Sequence, residues 1–267
     1  MTSYNNTTQL NDLLVKVPAV TLGFWIIKIL ATTLGETAGD AVSMSWLGET
    51  TAAAGSGGLN GYLVGTLIFG GLLAVLIWAQ IAARRFHPAL YWATIIASTT
   101  AGTTLADFVT RSMGIGYPGG SLLLFAMVIA SLALWKAKLG SIAVETVHEP
   151  RAELFYWITI TFSQTLGTAL GDWTADTGNL GYIGAAGIFA VGLAGLGLLY
   201  FTTKVSRVGL FWAAFILTRP LGAAVGDFLD KPLAKGGLDF SRPVASAVLL
   251  AVIIVLIFVL PQRAAQK

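Results

Sequence analysis

Cysteine is absent from this 267-residue chain, and histidine occurs only twice. The first absence excludes disulfides, zinc–thiolate sites, iron–sulfur clusters and redox thiols. The two together exclude Cys/His metal cages, so a metal site here must be built from oxygen ligands. Charge is scarce as well: Asp, Glu, Lys and Arg make up 11% of the residues, against roughly 25% in an average soluble domain. The 16 basic and 13 acidic side chains cannot cover the surface of a soluble fold of this size. An ordinary soluble enzyme, a disordered chain and a nucleic-acid-binding domain are therefore excluded. Neither a G-x-x-x-x-G-K-S/T nor a G-x-S-x-G motif is present. No nucleophile–base pair stands out, so no enzymatic activity and no cofactor are expected.

What the chain has in excess is apolar sequence, at 55% of all residues. A transmembrane helix needs ~20 mostly apolar residues. Eight stretches qualify, at about 20–42, 60–82, 89–111, 120–138, 153–175, 180–203, 207–229 and 243–261. The expected fold is all-α: one polytopic membrane domain over residues 1–267, with eight transmembrane helices. Met1–Ala19 reads as a polar N-terminal tail, not a signal peptide. Lys16, Arg84, Arg85, Lys136, Lys138, Arg151, Lys204, Arg207, Arg263 and Lys267 fall on the side of the termini, and Arg111, Lys231, Lys235 and Arg242 on the other. Basic residues favour cytoplasmic loops, which predicts that both termini are cytoplasmic.

Four segments align without a gap. They are Trp25-IIKILATTLGETAG-Asp40, Trp92-ATIIASTTAGTTLA-Asp107, Trp157-ITITFSQTLGTALG-Asp172 and Trp212-AAFILTRPLGAAVG-Asp227. Each carries Gly five residues before the Asp (Gly35, Gly102, Gly167, Gly222) and a small residue directly before it (Gly39, Ala106, Gly171, Gly226). Each motif helix is followed by a plain apolar helix. The chain thus reads as four parallel two-helix repeats, over about 20–82, 89–138, 153–203 and 207–261, related by rotation about the membrane normal. The four Trp are expected in the interfacial aromatic belt. The Gly columns are expected to let helices pack closely, the alternative being local unwinding at Gly35 and Gly39. Pro220 is expected to kink its span.

Positions four apart share a helix face. Lys28, Thr32, Glu36 and Asp40 form one row; Thr99, Thr103, Asp107 and Arg111 a second. Gln164, Thr168, Asp172 and Asp176 form a third, and Arg219, Ala223, Asp227 and Lys231 a fourth. A central charge facing lipid costs ~2.5–3.5 kcal/mol even on a lenient scale, so the seams should converge on the bundle axis. The expected metal ligands are Glu36, Asp40, Asp107, Asp172 and Asp227. Lys28, Thr103, Gln164, Thr168 and Arg219 are the supporting polar groups or counter-ions, with Arg219 expected to tie Asp227. Five carboxylates against Lys28 and Arg219 leave a formal −3, to be balanced by a dication and a proton. The loop from Gly48 to Leu59 is read as a connector.

Hard oxygen ligands suit manganese, magnesium or calcium, and acids that compete for protons supply a coupling device. The expected function is transport of divalent cations, with proton-coupled export as the direction. A proton or monovalent-cation channel, and an organic-solute transporter with a proton-relay acid cluster, are the alternatives. The expected partners are a metal ion, protons and the lipid bilayer, without nucleic acid, and the reading admits a homo-oligomer.

The repeated G-E-T-x-G-D (Gly35–Asp40) and G-T-x-x-(A/G)-D (Gly102–Asp107, Gly167–Asp172) resemble a bacterial family of uncharacterised multi-span, membrane-anchored proteins. The resemblance covers most of the chain and implies a multi-span fold in the bacterial inner (plasma) membrane. Gly35–Asp40 is also similar in chemistry to the E-x-G-D-K/R signature of small cation/proton exchangers with manganese and calcium substrates. Here Asp40 is followed by Ala41, and Glu36 stands one residue further from the Gly-Asp pair.

Overall fold

A computed structural model describes residues 15–49, 60–178 and 180–265. Most of the Gly48–Leu59 connector, the first fourteen residues of the N-terminal tail and Lys267 lie outside the described residues. Among those described, eight long helices account for the fold and no strand forms. They are α1 (Leu22–Asp40), α2 (Gly61–Ala82), α3 (Pro88–Asp107), α4 (Gly116–Leu139), α5 (Pro150–Asp172), α6 (Gly181–Thr202), α7 (Arg207–Asp230) and α8 (Arg242–Val259). Local chemistry marks their ends. Thr21, Asn60 and Ser206 accept the N–H of Phe24, Leu63 and Gly209 as N-caps. Pro88 and Pro150 open α3 and α5, where a missing N–H costs nothing. Gly140 closes α4 at φ +77°.

The four motif helices α1, α3, α5 and α7 form a closed ring in chain order, each packed on the one before and the one after, with α7 returning to α1. The plain helices α2, α4, α6 and α8 stand outside this ring. Each packs not on the motif helix of its own unit but on that of the next: α2 on α3, α4 on α5, α6 on α7, and α8 back on α1. Short connections (residues 83–87, 140–149 and 203–206) make the first three of these pairs helical hairpins. The α8–α1 pair has no such connection. Instead, residues flanking it pair in extended form: Ala19 N–H donates to the Arg263 carbonyl (2.8 Å) and Ala265 N–H to the Val17 carbonyl (2.8 Å).

Glycine contacts explain how tightly the ring closes. A Cβ on Gly35 would collide with the Thr99 side chain, one on Gly102 would lie 3.0 Å from Gln164 Cβ, one on Gly167 would collide with the Arg219 stem, and one on Gly222 with Thr32. Every unit therefore seats, on its Gly column, the residue eight before the Asp of the next unit. The small residue before the Asp works the same way: Gly39 against Thr103, Gly171 against Ala223, Gly226 against Glu36. The helices run unbroken through Gly35 and Gly39, so these glycines serve packing and not unwinding. Helix α7 likewise continues through Pro220 as one element; the expected kink is not a break.

The tryptophans depart from expectation. Trp92, Trp157 and Trp212 are buried, at 0, 2 and 3% exposure, and Trp25 is partly buried. Each meets the aromatic residue preceding the Trp of the unit before it: Phe24 on Trp92, Tyr91 on Trp157, Tyr156 on Trp212, Phe211 on Trp25, with ring centroids 5.5–6.1 Å apart. The Tyr91 and Tyr156 hydroxyls are hydrogen-bonded at 2.6 Å. The expected lipid-facing belt is thus an internal aromatic ring closing one end of the bundle. A belt and a plug demand the same residue type at the same level; only the facing direction differs, and that is fixed by the offset packing. The end of the tail joins this closure. Val15, Lys16 and Val17 are buried, and the Lys16 ammonium, 2.6 Å from Glu153, also donates to the carbonyls of Gln80 and Ile81.

Five of the eight helices (α2, α4, α6, α7 and α8) are long and apolar enough to cross a membrane. The three that fall short, α1, α3 and α5, are motif helices whose polar residues point into the ring.

Candidate metal centre

The ring stacks its polar residues in tiers. Twelve residues before the Asp stand Lys28, Ile95, Ile160 and Phe215; eight before, Thr32, Thr99, Gln164 and Arg219. All eight have 0% exposure. Four before stand Glu36, Thr103, Thr168 and Ala223, then the tier of Asp40, Asp107, Asp172 and Asp227, every one at 3% exposure or less. Four residues beyond come Met44, Arg111, Asp176 and Lys231, where the column reaches the surface at Asp176. Just past the Asp, α1, α3 and α5 continue as π-helical turns (Ala41–Trp46, Phe108–Ser112, Trp173–Thr177). Such turns are over-represented at functional sites.

The ion pairs differ from the sequence expectation in two ways. Arg219 does not tie Asp227. Its Nη2 reaches up to Glu36 Oε2 at 2.9 Å, donates to Thr103 Oγ1 at 2.6 Å and also to Thr168 Oγ1. It therefore joins Glu36 and the two threonines of that tier into one knot. The reason is length: with its stem seated on Gly167, the guanidinium spans the ring to the Glu36 tier. Second, Arg111 and Lys231, assigned to outer loops by charge, fold back into the cluster. The Arg111 guanidinium lies 3.2 Å from Asp107 and 2.8 Å from Asp172. It is flanked by the hydroxyls of Tyr62 (3.1 Å) and Tyr117 (3.3 Å), and Tyr117 donates to Asp176 (3.2 Å). The Lys231 ammonium is 2.9 Å from Asp227, pairs with Asp40, and lies 3.9 Å from Asp230. Asp230 is itself buried and sits 3.4 Å from Arg242 Nε.

The charge balance changes accordingly. In the Asp tier and just beyond it, Asp40, Asp107, Asp172, Asp227 and Asp230 face Arg111, Lys231 and the partly exposed Arg242, leaving a formal −2. Below them, Lys28 and Arg219 face Glu36 alone, leaving +1. The −3 expected from the sequence is instead divided by tier, −2 around the aspartates and +1 below them, with Glu36 bordering both. Lys28 is neither a counter-ion of a carboxylate nor directed to the surface: its ammonium lies 4.1 Å over the Phe215 ring and 3.4 Å from Thr218 Oγ1.

Two triads bring carboxylate oxygens within 4.8 Å of one another: Glu36, Asp172 and Asp227, and Asp40, Asp227 and Asp230. Asp227 belongs to both. Asp107 belongs to neither and is held by Arg111. Within the cluster, Asp40 Oδ1 has no hydrogen-bond donor among the described residues, Asp227 Oδ1 faces the Lys231 ammonium, and the two Asp230 oxygens face only Lys231 and Arg242, at 3.9 and 3.4 Å. Thr103 and Thr168 bind the Arg219–Glu36 knot, and Gln164 stands buried in the tier below it. Of the cluster, Asp230, Tyr62 and Tyr117 carry no signal in the four-apart rows of the sequence, and Arg111 and Lys231 stand in the polar seams without being expected as site residues. For Arg111 and Lys231 the signal was present, since both sit four residues beyond a motif Asp.

Four stretches, residues 23–86, 90–138, 155–206 and 210–263, match the family described as Repeat of Unknown Function (DUF347). The chain belongs to that family. Its four matched stretches follow the four units seen in the ring, each a motif helix with its plain partner. No curated protein and no solved structure matches the chain.

Proposed function

We propose that this chain is a multi-pass inner-membrane transporter of divalent cations of the manganese, magnesium or calcium class, coupled to protons. Its eight helices span the bilayer with the aromatic-ring end and both termini cytoplasmic. The observation that carries this reading is the Asp40–Asp227–Asp230 triad: three buried carboxylates within 4.8 Å of one another, gathered on the Lys231 ammonium that an entering metal would displace, in a tier whose formal charge is −2. A buried surplus of that size calls for a dication or protons. All-oxygen donors select hard cations over zinc or copper. Protons and metal compete for the same oxygens, which couples their movements. The tier lies one helical turn below the surface at Asp176, while the opposite end is closed by stacked aromatics; that asymmetry suits a carrier better than an open channel. Export is the direction we assign, with protons entering as metal leaves.

The test is calorimetry on purified protein with manganese, magnesium and calcium, paired with flux in proteoliposomes. The expected result is saturable binding that weakens as pH falls, by about tenfold per pH unit for each proton displaced. Asp227→Asn, which removes the carboxylate shared by both triads, should abolish binding and flux. Asp107→Asn should have the smaller effect. Absence of saturable binding of all three ions, or unchanged flux in Asp227→Asn, rejects the reading.

A further inference from the structure

The tier eight residues before the aspartates contains more hydrogen-bonding capacity than it uses. Gln164 is fully buried, and neither its amide nitrogen nor its amide oxygen has a partner among the described residues. Arg219 spends Nη2 on the Glu36 tier, while its Nε and Nη1 are unpartnered. Thr99 Oγ1 is unpartnered too. Directly beneath stands the Lys28 ammonium, with one 3.4 Å contact to Thr218 and no carboxylate within 4.0 Å among the described residues. These groups come from all four sides of the ring's axis: Lys28 from α1, Thr99 from α3, Gln164 from α5 and Arg219 from α7. Unmet buried donors cost about 1–3 kcal/mol each, and more when charged. Three such residues in one tier, with the Lys28 ammonium one turn below them and a formal surplus of +1, is an arrangement that a negative species relieves.

The geometry points to a second site, for a small monovalent anion of the halide, nitrate or formate class, held on the axis by Lys28 and Arg219 with Thr99 and Gln164 as neutral donors. The size limit follows from the tiers around it. Ile95, Ile160 and Phe215 close it below and the Arg219–Glu36 knot closes it above, all at 3% exposure or less. The charge limit follows from the surplus: one negative charge neutralises it, and a divalent anion such as sulfate leaves a new buried charge. The site lies eight residues, about 12 Å along the helix axis, from the Asp tier, and is independent of the cation reading. Neutralising Lys28 and Arg219 from this side leaves Glu36 less firmly held, so the two pools communicate through Arg219.

The experiment uses the purified full chain exchanged into sodium gluconate, an anion too large for the site, then titrated with chloride, bromide, nitrate, formate or sulfate while thermal unfolding is followed. Chloride, bromide, nitrate or formate should raise Tm saturably, by about 5 °C at a hundredfold excess over Kd, and sulfate should not. Gln164→Leu and Thr99→Val should each weaken the anion at least about tenfold, the loss expected of a hydrogen bond to a charged group, while metal binding at the Asp tier persists. Bromide's anomalous signal in crystals should lie beside Lys28. The proposal is overturned by a monodisperse wild-type protein whose Tm responds saturably to none of the four monovalent anions, by unchanged anion affinity in both variants, or by bromide located elsewhere. Failure of metal binding with the anion response intact rejects only the transport reading.

Discussion

Arg219 shows how one side chain organises its surroundings. It is fully buried, rooted one tier below its carboxylate partner, and it bonds three groups from three other helices: Glu36 of α1, Thr103 of α3 and Thr168 of α5. Removing it leaves Glu36 buried beside two threonines with no cation. Arg219→Leu should therefore destabilise the fold by about 3–5 kcal/mol, as expected when one partner of a buried pair is deleted. Glu36→Gln combined with Arg219→Leu should recover much of that loss, because the amide carries no charge to strand. Thermal unfolding of the two variants in detergent decides this. If the double variant is no more stable than the single, the cost lies in lost packing of the arginine stem and not in the unpaired carboxylate. That Arg219 would lie in the ring interior was legible from its position in the motif. Its partner was not, because row arithmetic on one helix says nothing of the reach of a side chain between tiers.

Among the elements, the Gly columns set the spacing of the motif helices. A methyl group at Gly222 would press on Thr32 Cβ at 2.6 Å and on the Thr32 carbonyl carbon at 2.9 Å. Gly222→Ala should accordingly cost about 1–3 kcal/mol, the usual range for overpacking. Gly70→Ala is the control: on the outer helix α2, its Cβ would meet nothing within 4 Å, and relief of backbone entropy should leave stability unchanged or raised by up to about 1 kcal/mol. Equal Tm changes in the two variants would show that close approach is not what the column provides. The element layout was largely visible in the sequence, since duplication leaves columns that align without gaps, and polar seams on apolar helices have only one inexpensive direction to face. The offset between units was not. Nothing in a single repeat distinguishes a plain helix that covers its own motif helix from one that covers the next. The burial of Trp92, Trp157 and Trp212 follows from that same offset, which is why a belt was expected in place of a plug. The inward fold of Arg111 and Lys231 was lost for a different reason. Counting basic residues by loop treats them as surface, whereas the seam register already set them one turn above the aspartates.

For the whole molecule, closure matters more than order along the chain. The α8–α1 pair is equivalent to the three hairpin pairs except that no loop joins it, and the extended pairing of residues 17–19 with 263–265 holds the segments flanking it side by side. A circular permutant that joins these ends by a short linker and opens the chain between residues 203 and 206 should fold, keep its Tm within a few degrees and retain the ligand binding of the parent. Loss of folding in that permutant, with a permutant opened at 140–149 equally unfolded, would mean that the terminal pairing directs assembly rather than merely completing it.

The outward helix of each unit covers its neighbour and not itself, and this dictates how such a protein can arise and be divided. A lone unit has one flank that needs a donor and one that has nothing to cover, so it acquires a stable shape only inside a completed circle. Separately expressed halves, cut between residues 140 and 149, would each present an unfinished polar flank to lipid, yet together they possess every surface the circle requires. Two units alone close no circle, so each half relies on its complement for the flank it leaves open. Carrying all four units on one chain lets Glu36, Arg111, Arg219 and Lys231 each stand in one quarter alone, an asymmetry that four identical copies could not have.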